Sequence, residues 1–271
     1  MGRVYLARDT KERGLVWAVK EVDYSCLARD QFVEARELFA KESALLAKLR
    51  HPGLPRVVAH FQEGECDYLV MERVEGPTLE GLLSSGGKCL PEPQVVGLGL
   101  ALAEILAYLH SRRPPIIYRD LKPANVMVTV EGGVKLIDFG IARALNPTKA
   151  GDTTAYGTPG FAPPEQYQGR TCPASDVYAL GVTLLRAATL YEPAEFTFTH
   201  PNLTSLNPSL SEEFDLLLSQ MVAKTPQGRP EIGEVLAILS AMQDSSAHDP
   251  LRVWWRRKSR EVLRWWKSRS G

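Results

Sequence analysis

The sequence predicts an α+β fold in which a small, β-rich first part is followed by a larger and mostly helical second part. Four short runs rich in β-branched and aromatic residues lie within the first 74 residues. Beyond Gly76-Pro77, apolar residues recur at helical spacing in four segments. The 271 residues, of which 44% are hydrophobic and 24% charged, suffice for a substantial buried core.

The first part is predicted to be a sheet with one helix between its second and third strands. Residues 30–49 repeat apolar side chains at spacings of three, four and seven, which is typical of a helix. His51-Pro52-Gly53 would end that helix, and a polar turn at 10–14 would join the first two strands into a hairpin. The predicted strands span residues 3–7, 15–22, 57–62 and 68–74.

The second part is predicted to be helical, with one short hairpin. Residues 91–110 are apolar on nearly all sides, which indicates a helix buried in the core. Strands are expected at 126–129 and 134–137, irregular structure at 141–165, and helices at 175–190, 211–223 and 231–243. The expected divisions of the chain are 1–75, 76–243, a linker at 244–250 and a separate basic segment at 251–271.

Charge is unevenly distributed along a chain whose formal net charge is zero. Residues 252–271 carry eight Lys or Arg and one Glu, whereas the rest of the chain carries 24 basic and 31 acidic residues. A mildly acidic body with a basic tail is not typical of a duplex-binding domain, so we do not expect a nucleic-acid partner.

Cysteine spacing favours a reduced compartment, and hydropathy indicates no membrane-spanning segment. The four cysteines form neither a CxxC pair nor a metal-ligand spacing. No signal peptide is recognisable, and the longest apolar stretch, 95–109, is interrupted by Glu104 and is too short to span a bilayer. We therefore expect a cytoplasmic protein that can lie peripherally at the inner face of the membrane.

Two short motifs carry the strongest chemical signal. Residues 118–125, here called the catalytic loop, read Tyr-Arg-Asp-Leu-Lys-Pro-Ala-Asn, and Asp-Phe-Gly follows at 138–140. Asp120 can orient a hydroxyl nucleophile, and Lys122 can meet charge on a transferred phosphoryl group. The candidate Mg²⁺ ligands are Asn125 and Asp138. One such match could be a polar turn between strands, but the order and spacing of both favour phosphoryl transfer.

With further matches on both sides of these motifs, residues 1–240 resemble the protein kinase family, specifically the bacterial Ser/Thr kinases of eukaryotic type. The resemblance implies a two-lobed fold that transfers the γ-phosphoryl group of ATP, with Mg²⁺ or Mn²⁺, to Ser or Thr hydroxyls of protein substrates. Asp120 would take the proton of the acceptor hydroxyl. Lys122 is associated in the family with Ser/Thr rather than Tyr specificity.

The resemblance also implies a nucleotide site. Lys20, in Trp-Ala-Val-Lys, matches the strand lysine that holds the α- and β-phosphates, and Glu42 matches its acidic partner on the following helix. Taken alone, Lys20 would be interpreted as a surface lysine on a half-buried strand. Met71 falls at the gatekeeper position, and backbone groups after it would recognise adenine. The implied ATP-binding residues are Gly2, Val4, Ala18, Lys20, Glu42, Met71, Glu72, Val74 and Met127.

Other matches concern the scaffold of the larger lobe. Tyr118 stands where the family usually has His and would pack under Phe139. Glu165 follows Pro-Pro rather than the usual Ala-Pro, and it would pair with a buried Arg229. Asp176 would anchor the backbone of the catalytic loop.

Two more positions bear on the acceptor and on control. Thr158 could bond to both Asp120 and Lys122. Arg119 indicates regulation by phosphorylation, because a buried guanidinium beside the catalytic Asp needs an anion, which a phosphate on the 141–165 loop would supply. The candidate phosphosites are Thr153 and Thr154, with Thr148 behind them, although threonines are common in loops.

The glycine-rich loop departs from the family pattern. Only Gly2 and Val4 match its last glycine and its valine, so the first strand and two glycines are missing. Backbone N–H groups of that loop normally cradle the phosphates, and its absence exposes the neighbouring strand as a sheet edge. Two explanations stay open: a misassigned start codon, or a truncated chain that is a weak kinase or a pseudokinase acting as an interaction module.

The segment 251–271 contains four of the five tryptophans, as two pairs eleven residues apart. On a helix, this spacing of about three turns lets the tryptophans share one face, with arginines covering much of the rest. Trp with Arg on an amphipathic helix suits an anionic membrane surface. A disordered basic tail and a helix that docks on a protein are the alternatives.

Overall fold

The structure is a computed structural model of the chain, and it describes residues 2–12, 14–25, 27–138, 157–195, 198–201 and 203–245. These residues form two compact units, the first reaching to Val74 and the second beginning at Glu75.

The first unit is built on a four-stranded antiparallel sheet with the strand order β1-β2-β4-β3. Its strands are β1 (Gly2–Arg8), β2 (Val16–Asp23), β3 (Val57–Glu63) and β4 (Cys66–Glu72). Strand β1 lies at one edge of the sheet, and its Val4 and Leu6 are 67% and 65% exposed. The predicted exposure of this edge is confirmed among the described residues.

Helix α1 (Arg29–Leu46) packs against β3 and β4. Its buried residues Ala35, Phe39 and Leu46 follow the helical repeat and form the apolar stripe that holds it on the sheet. The helix ends three residues earlier than predicted, and Arg50 Nη1 donates to the carbonyl groups of Ala47 and Leu49, which follow it, at 2.7 and 2.8 Å.

The second unit is mostly helical. Its helices are α2 (Leu79–Gly86), α3 (Glu92–His110), α4 (Pro164–Tyr167), α5 (Pro173–Thr189), α6 (Leu203–Leu206), α7 (Glu212–Met221) and α8 (Ile232–Ser245). Helices α3 and α5 form the core, and α8 packs on α3. Helix α8 runs two residues into the segment predicted as a linker.

Helix α3 is the one described helix that is long and apolar enough, by length and composition, to cross a membrane. Most of it is buried inside the second unit, as the sequence predicts for a core helix.

A short hairpin carries part of the candidate site. Its strands are β5 (Val126–Val128) and β6 (Val134–Leu136). The start of the second unit is fixed on this hairpin, because the Val128 N–H donates to the Pro77 carbonyl at 3.0 Å. Gly76 has φ 143°, and a Cβ there would lie 1.9 Å from the Val128 carbonyl oxygen, so only glycine fits.

Candidate active site

The backbone of the catalytic loop is anchored by Asp176, a fully buried residue of α5. Its Oδ2 accepts the Tyr118 N–H at 2.8 Å, and its Oδ1 accepts the Arg119 N–H at 2.8 Å. His110 Nε2 lies 2.9 Å from Oδ2 and holds the carboxylate from α3. The predicted anchoring contact is therefore present.

Arg119 adopts a left-handed backbone conformation, with φ 69°. Its carbonyl accepts a hydrogen bond from Gln166 Nε2 at 2.9 Å, so both of its main-chain polar groups have partners. This conformation buries the neighbours Tyr118 and Asp120 and leaves the Arg119 side chain exposed. The prediction of a buried guanidinium at Arg119 was wrong: the residue is exposed, and it is its main-chain N–H and carbonyl that buried side chains hold.

Asp120 lies at the centre of a buried polar cluster. Its Oδ1 accepts the Thr158 hydroxyl at 2.9 Å, and its Oδ2 accepts Asn125 Nδ2 at 2.7 Å. Lys122 Nζ lies 3.3 Å from Oδ2 and donates to Thr158 Oγ1 at 2.7 Å. Thr158 thus makes both predicted contacts. The carboxylate is placed to accept a hydroxyl proton while a lysine ammonium contacts the same hydroxyl oxygen.

Asn125 joins the catalytic loop to the segment that carries Asp138. It ends the 3₁₀ turn Pro123–Asn125, and its Nδ2 also donates to the Asp120 carbonyl at 2.8 Å. The Ile137 N–H donates to the Asn125 carbonyl at 2.9 Å, and the Tyr118 hydroxyl donates to the Ile137 carbonyl. Asp138 follows with φ 66° and is exposed. The chain therefore brings the backbone of Asp138 close to that of Asn125.

The chemistry of these two side chains fits Mg²⁺. Both hydrogen bonds described for the Asn125 side chain use its nitrogen, which leaves the amide oxygen outside them, and Asp138 offers a carboxylate. Mg²⁺ prefers such oxygen donors and completes its shell with water and substrate phosphates. No group of three or more His, Cys, Asp or Glu suited to a metal occurs among the described residues. Because Asn125 and Asp138 supply only part of an octahedral Mg²⁺ shell, they suit a cation whose other ligands are water and substrate phosphates.

Glu165 and Arg229 form the predicted buried pair. Nη1 and Nη2 of Arg229 contact Oε1 and Oε2 of Glu165 at 2.5 and 3.0 Å, and the Ser175 hydroxyl donates to Oε1 at 2.7 Å. Burial alone would raise the pKa of Glu165, but the hydrogen bonds from Arg229 and Ser175 outweigh it and lower that pKa. The pair fixes α4, which begins one residue before Glu165.

The residues predicted to bind the nucleotide lie mostly in the first unit. Lys20 is buried in β2 and stands opposite Val4 of β1, and Ala18 stands opposite Met71 of β4. Glu42 is half-buried in α1. The pairing of Lys20 with Glu42 stays a prediction.

Glu72, the last residue of β4, is hydrogen-bonded to the main chain of Arg56. Its N–H donates to the Arg56 carbonyl at 2.8 Å, and its carboxylate accepts the Arg56 N–H at 3.1 Å. The Glu72 N–H is thus committed, and any adenine contact of Glu72 would use its carbonyl. In the second unit, Met127 is half-buried in β5 and bridges to Thr78.

Several predictions fall outside the described residues. These are the roles of Phe139, Thr148, Thr153 and Thr154 and the structure of the tail at 251–271.

Sequence reasoning missed three residues that hold this site: Gln166, Ser175 and His110. Gln166 is the most informative because it contacts the main chain of the catalytic loop directly. Its only signal in the sequence is its position immediately after Pro-Pro-Glu.

Comparisons with known proteins identify the arrangement. The family model described as a protein kinase domain matches residues 1–238. The probable serine/threonine-protein kinase SCO3848 of Streptomyces coelicolor is 35% identical over 260 residues, covering 88% of this chain and 37% of that protein. The serine/threonine-protein kinase PknB of Mycobacterium leprae is 33% identical over 251 residues, covering 84% of this chain and 39% of that protein. The chain thus spans less than two fifths of the length of these two curated relatives.

Solved structures agree with this match. The apo form of PpkA-294 has 27% sequence identity and a TM-score of 0.74, covering 88% of this chain and 91% of that one. The kinase domain of Mycobacterium tuberculosis PknI has 26% identity and a TM-score of 0.71, with 90% of each chain covered. The predicted α+β fold, with a small antiparallel sheet and a larger helical part, is confirmed.

Proposed function

Because this chain belongs to the protein kinase family, we propose that it transfers the γ-phosphoryl group of ATP to Ser or Thr hydroxyls of protein substrates. One observation carries the proposal: the Thr158 hydroxyl donates to Asp120 while its oxygen accepts from Lys122. An acceptor Ser or Thr needs the same two contacts. The curated relatives named above are serine/threonine kinases, which supports this choice of acceptor.

Asp120 and Lys122 then have complementary tasks. The Asp120 carboxylate orients the acceptor hydroxyl and takes its proton as the new O–P bond forms and the bond from the γ-phosphorus to the bridging oxygen breaks, releasing ADP. Asn125 Nδ2 holds one carboxylate oxygen, which leaves the other directed at the hydroxyl. The Lys122 ammonium stabilises negative charge on the transferred group. Its ion pair with Asp120 keeps the two side chains in a fixed geometry.

Asn125 and Asp138 would hold the Mg²⁺ that accompanies ATP, and that cation would neutralise charge on the phosphates. Lys20, with Glu42 as its partner, would hold the α- and β-phosphates, as the matching residues do in the family. The buried position of Lys20 in β2 supports this role, because a lysine is rarely buried without a charged partner or ligand.

The geometry favours a kinase over a non-catalytic interaction module. A module would not need Asp120, Lys122, Asn125 and Thr158 to meet within hydrogen-bond or ion-pair distance. No comparison supports the pseudokinase alternative.

The test is transfer of labelled phosphate from Mg-ATP to the protein itself and to a generic basic substrate. We expect Asp120→Asn to lower the rate by about 10²–10⁴-fold, the usual contribution of a general base. Asp138→Ala should serve as the blank. Glu131→Gln is the matched control, because Glu131 is exposed in the turn between β5 and β6. Equal rates for the wild type and the Asp138→Ala variant would refute the proposal.

A further inference from the structure

Gln166 is a buried residue of α4 that reaches the catalytic loop with its side-chain amide. Its Nε2 donates to the carbonyl oxygen of Arg119 at 2.9 Å. We propose that Gln166 is a positioning residue for Asp120: it fixes the peptide group between Arg119 and Asp120 and so sets the direction of the catalytic carboxylate. The proposal rests on the proposed function.

The peptide that joins Arg119 to Asp120 lies at the sharpest bend of the loop. Arg119 has φ 69°, a conformation that non-glycine residues adopt only when their surroundings hold them. Asp176 holds the Arg119 N–H, and Gln166 holds the Arg119 carbonyl. The carbonyl and the Asp120 nitrogen belong to one planar group. Rotation of that plane would therefore swing the Asp120 side chain, and the Gln166 bond opposes it.

Gln166 is itself held from behind. The preceding Glu165 is fixed by two contacts from Arg229 and one from Ser175. The Gln166 N–H donates to the Pro163 carbonyl at 3.0 Å, which closes the first turn of α4. The amide therefore projects from an anchored helix.

The amide also borders the segment that carries Thr158. Gly157 has φ 127°, and a Cβ at that position would lie 2.5 Å from Gln166 Nε2. Glycine thus leaves the space that the Gln166 amide fills. Thr158, the next residue, donates to Asp120. The Gln166 side chain therefore contacts the catalytic loop and also packs against the segment whose Thr158 hydroxyl is hydrogen-bonded to Asp120.

The contact requires a side chain of this length that carries a hydrogen-bond donor. Methionine would fill nearly the same volume but could not donate, so the Arg119 carbonyl would lose its partner. An ionised glutamate would place an acceptor against an acceptor. A protonated glutamate could donate its O–H to the carbonyl and restore the bond.

The experiment measures kcat and KM for ATP of Gln166→Met and Gln166→Glu over a range of pH. We expect kcat of the Met variant to fall about tenfold with KM for ATP unchanged, because a hydrogen bond to a buried carbonyl corresponds to about one power of ten. The activity of the Glu variant, divided by that of the wild type at each pH, should rise as the pH falls. The same ratio for the Met variant should stay flat. Gln168→Met and Gln168→Glu are matched controls, since Gln168 is exposed just after α4.

Hydrogen exchange of the peptide covering 118–125 separates this proposal from the proposed function. We expect faster exchange in Gln166→Met and no change in Gln168→Met, whether or not the wild type transfers phosphate. Unchanged exchange, or a wild-type kcat together with a lower melting temperature in both Gln166 variants, would overturn the positioning role. Where the Met variant does not fold, the Glu variant at low and high pH gives the same decision.

Discussion

Arg229 is a side chain whose loss should strongly destabilise this fold. Its guanidinium is buried and uses all five N–H groups, and the ring of Tyr178 lies 4.9 Å from its carbon. The five acceptors are Glu165 Oε1 at 2.5 Å, Glu165 Oε2 at 3.0 Å, and the carbonyl oxygens of Ala174, Ala223 and Lys224 at 2.9, 2.8 and 3.2 Å. Arg229→Met would keep the volume and remove every one of these bonds.

The expected loss of stability follows from the contacts that Glu165 retains when Arg229 is replaced. Glu165 would stay buried with the Ser175 hydroxyl as the described partner of its carboxylate. Breaking a buried ion pair by removing one partner costs about 3–5 kcal/mol. For a protein of this size, each kcal/mol lowers the melting temperature by about 2–4 °C. We therefore expect Arg229→Met to melt at least about 6 °C below the wild type.

The stability difference between the wild type and Arg229→Met should depend on pH. The pKa of Glu165 is lowered in the folded protein, since the hydrogen bonds from Arg229 and Ser175 outweigh the effect of burial. A lowered pKa in the folded state contributes stability above the unfolded pKa, and this contribution is lost as the pH falls through the folded pKa. The difference between the wild type and Arg229→Met should therefore shrink on acidification.

Thermal and urea unfolding at neutral and acid pH would measure both effects. The double variant Glu165→Gln/Arg229→Met should be more stable than Arg229→Met alone, because it leaves no buried charge. Lys41→Met is the control, since its ion pair with Glu37 is exposed on both sides at 3.9 Å and should contribute less than about 1 kcal/mol. A melting temperature of Arg229→Met within about 2 °C of the wild type would refute the reasoning.

For two further carboxylates, Asp67 and Glu80, we expect neutralising substitutions to change the stability in opposite directions. Asp67 is fully buried, with Arg36 Nε 3.7 Å away, and burial raises the pKa of the Asp67 carboxyl. Because a carboxyl whose pKa is raised in the folded state destabilises the fold as the pH rises through that pKa, Asp67→Asn should melt at or above the wild type at neutral pH and converge with it in acid. A clearly lower melting temperature of the variant at neutral pH would contradict this. Glu80 accepts two hydrogen bonds from Arg186 at 2.8 and 3.2 Å, which lower the pKa of Glu80. Glu80→Gln should lower the free energy of unfolding in urea at neutral pH by less than about 1 kcal/mol, because the pair is partly exposed, and should leave it unchanged in acid. An equal loss at both pH values would show a purely steric role.

The parts that the sequence predicts well depend on local patterns or on matched motifs. The four strands of the first unit follow from runs rich in β-branched and aromatic residues, and α1 follows from helical spacing of its apolar residues. The contacts of Asp176, Thr158 and the Glu165–Arg229 pair follow from motifs that fix which side chains must meet. In each case the sequence contains the residue types and also their order.

The failures have a physical cause in common, which is dependence on backbone geometry or on distant partners. Arg119 is exposed and has a left-handed φ, and no residue type in the sequence indicates that angle. Helix α2 was missed because eight residues give only about two turns, too few for a periodic signal. Gln166 bonds a carbonyl 47 residues away, and a side-chain amide leaves no pattern that names its partner.

Four main-chain groups around Asp120 are held by side chains rather than by strand or helix ladders. These are the N–H groups of Tyr118 and Arg119 and the carbonyl groups of Arg119 and Asp120. Their partners are Asp176 of α5, Gln166 of α4 and Asn125 of the 3₁₀ turn. Buried polar groups of a loop without regular structure need partners outside the ladders, and these four bonds tie the position of Asp120 to three different elements. Small losses at Gln166 or Asn125, whose side chains carry no charge, should therefore lower kcat before they lower the stability of the fold.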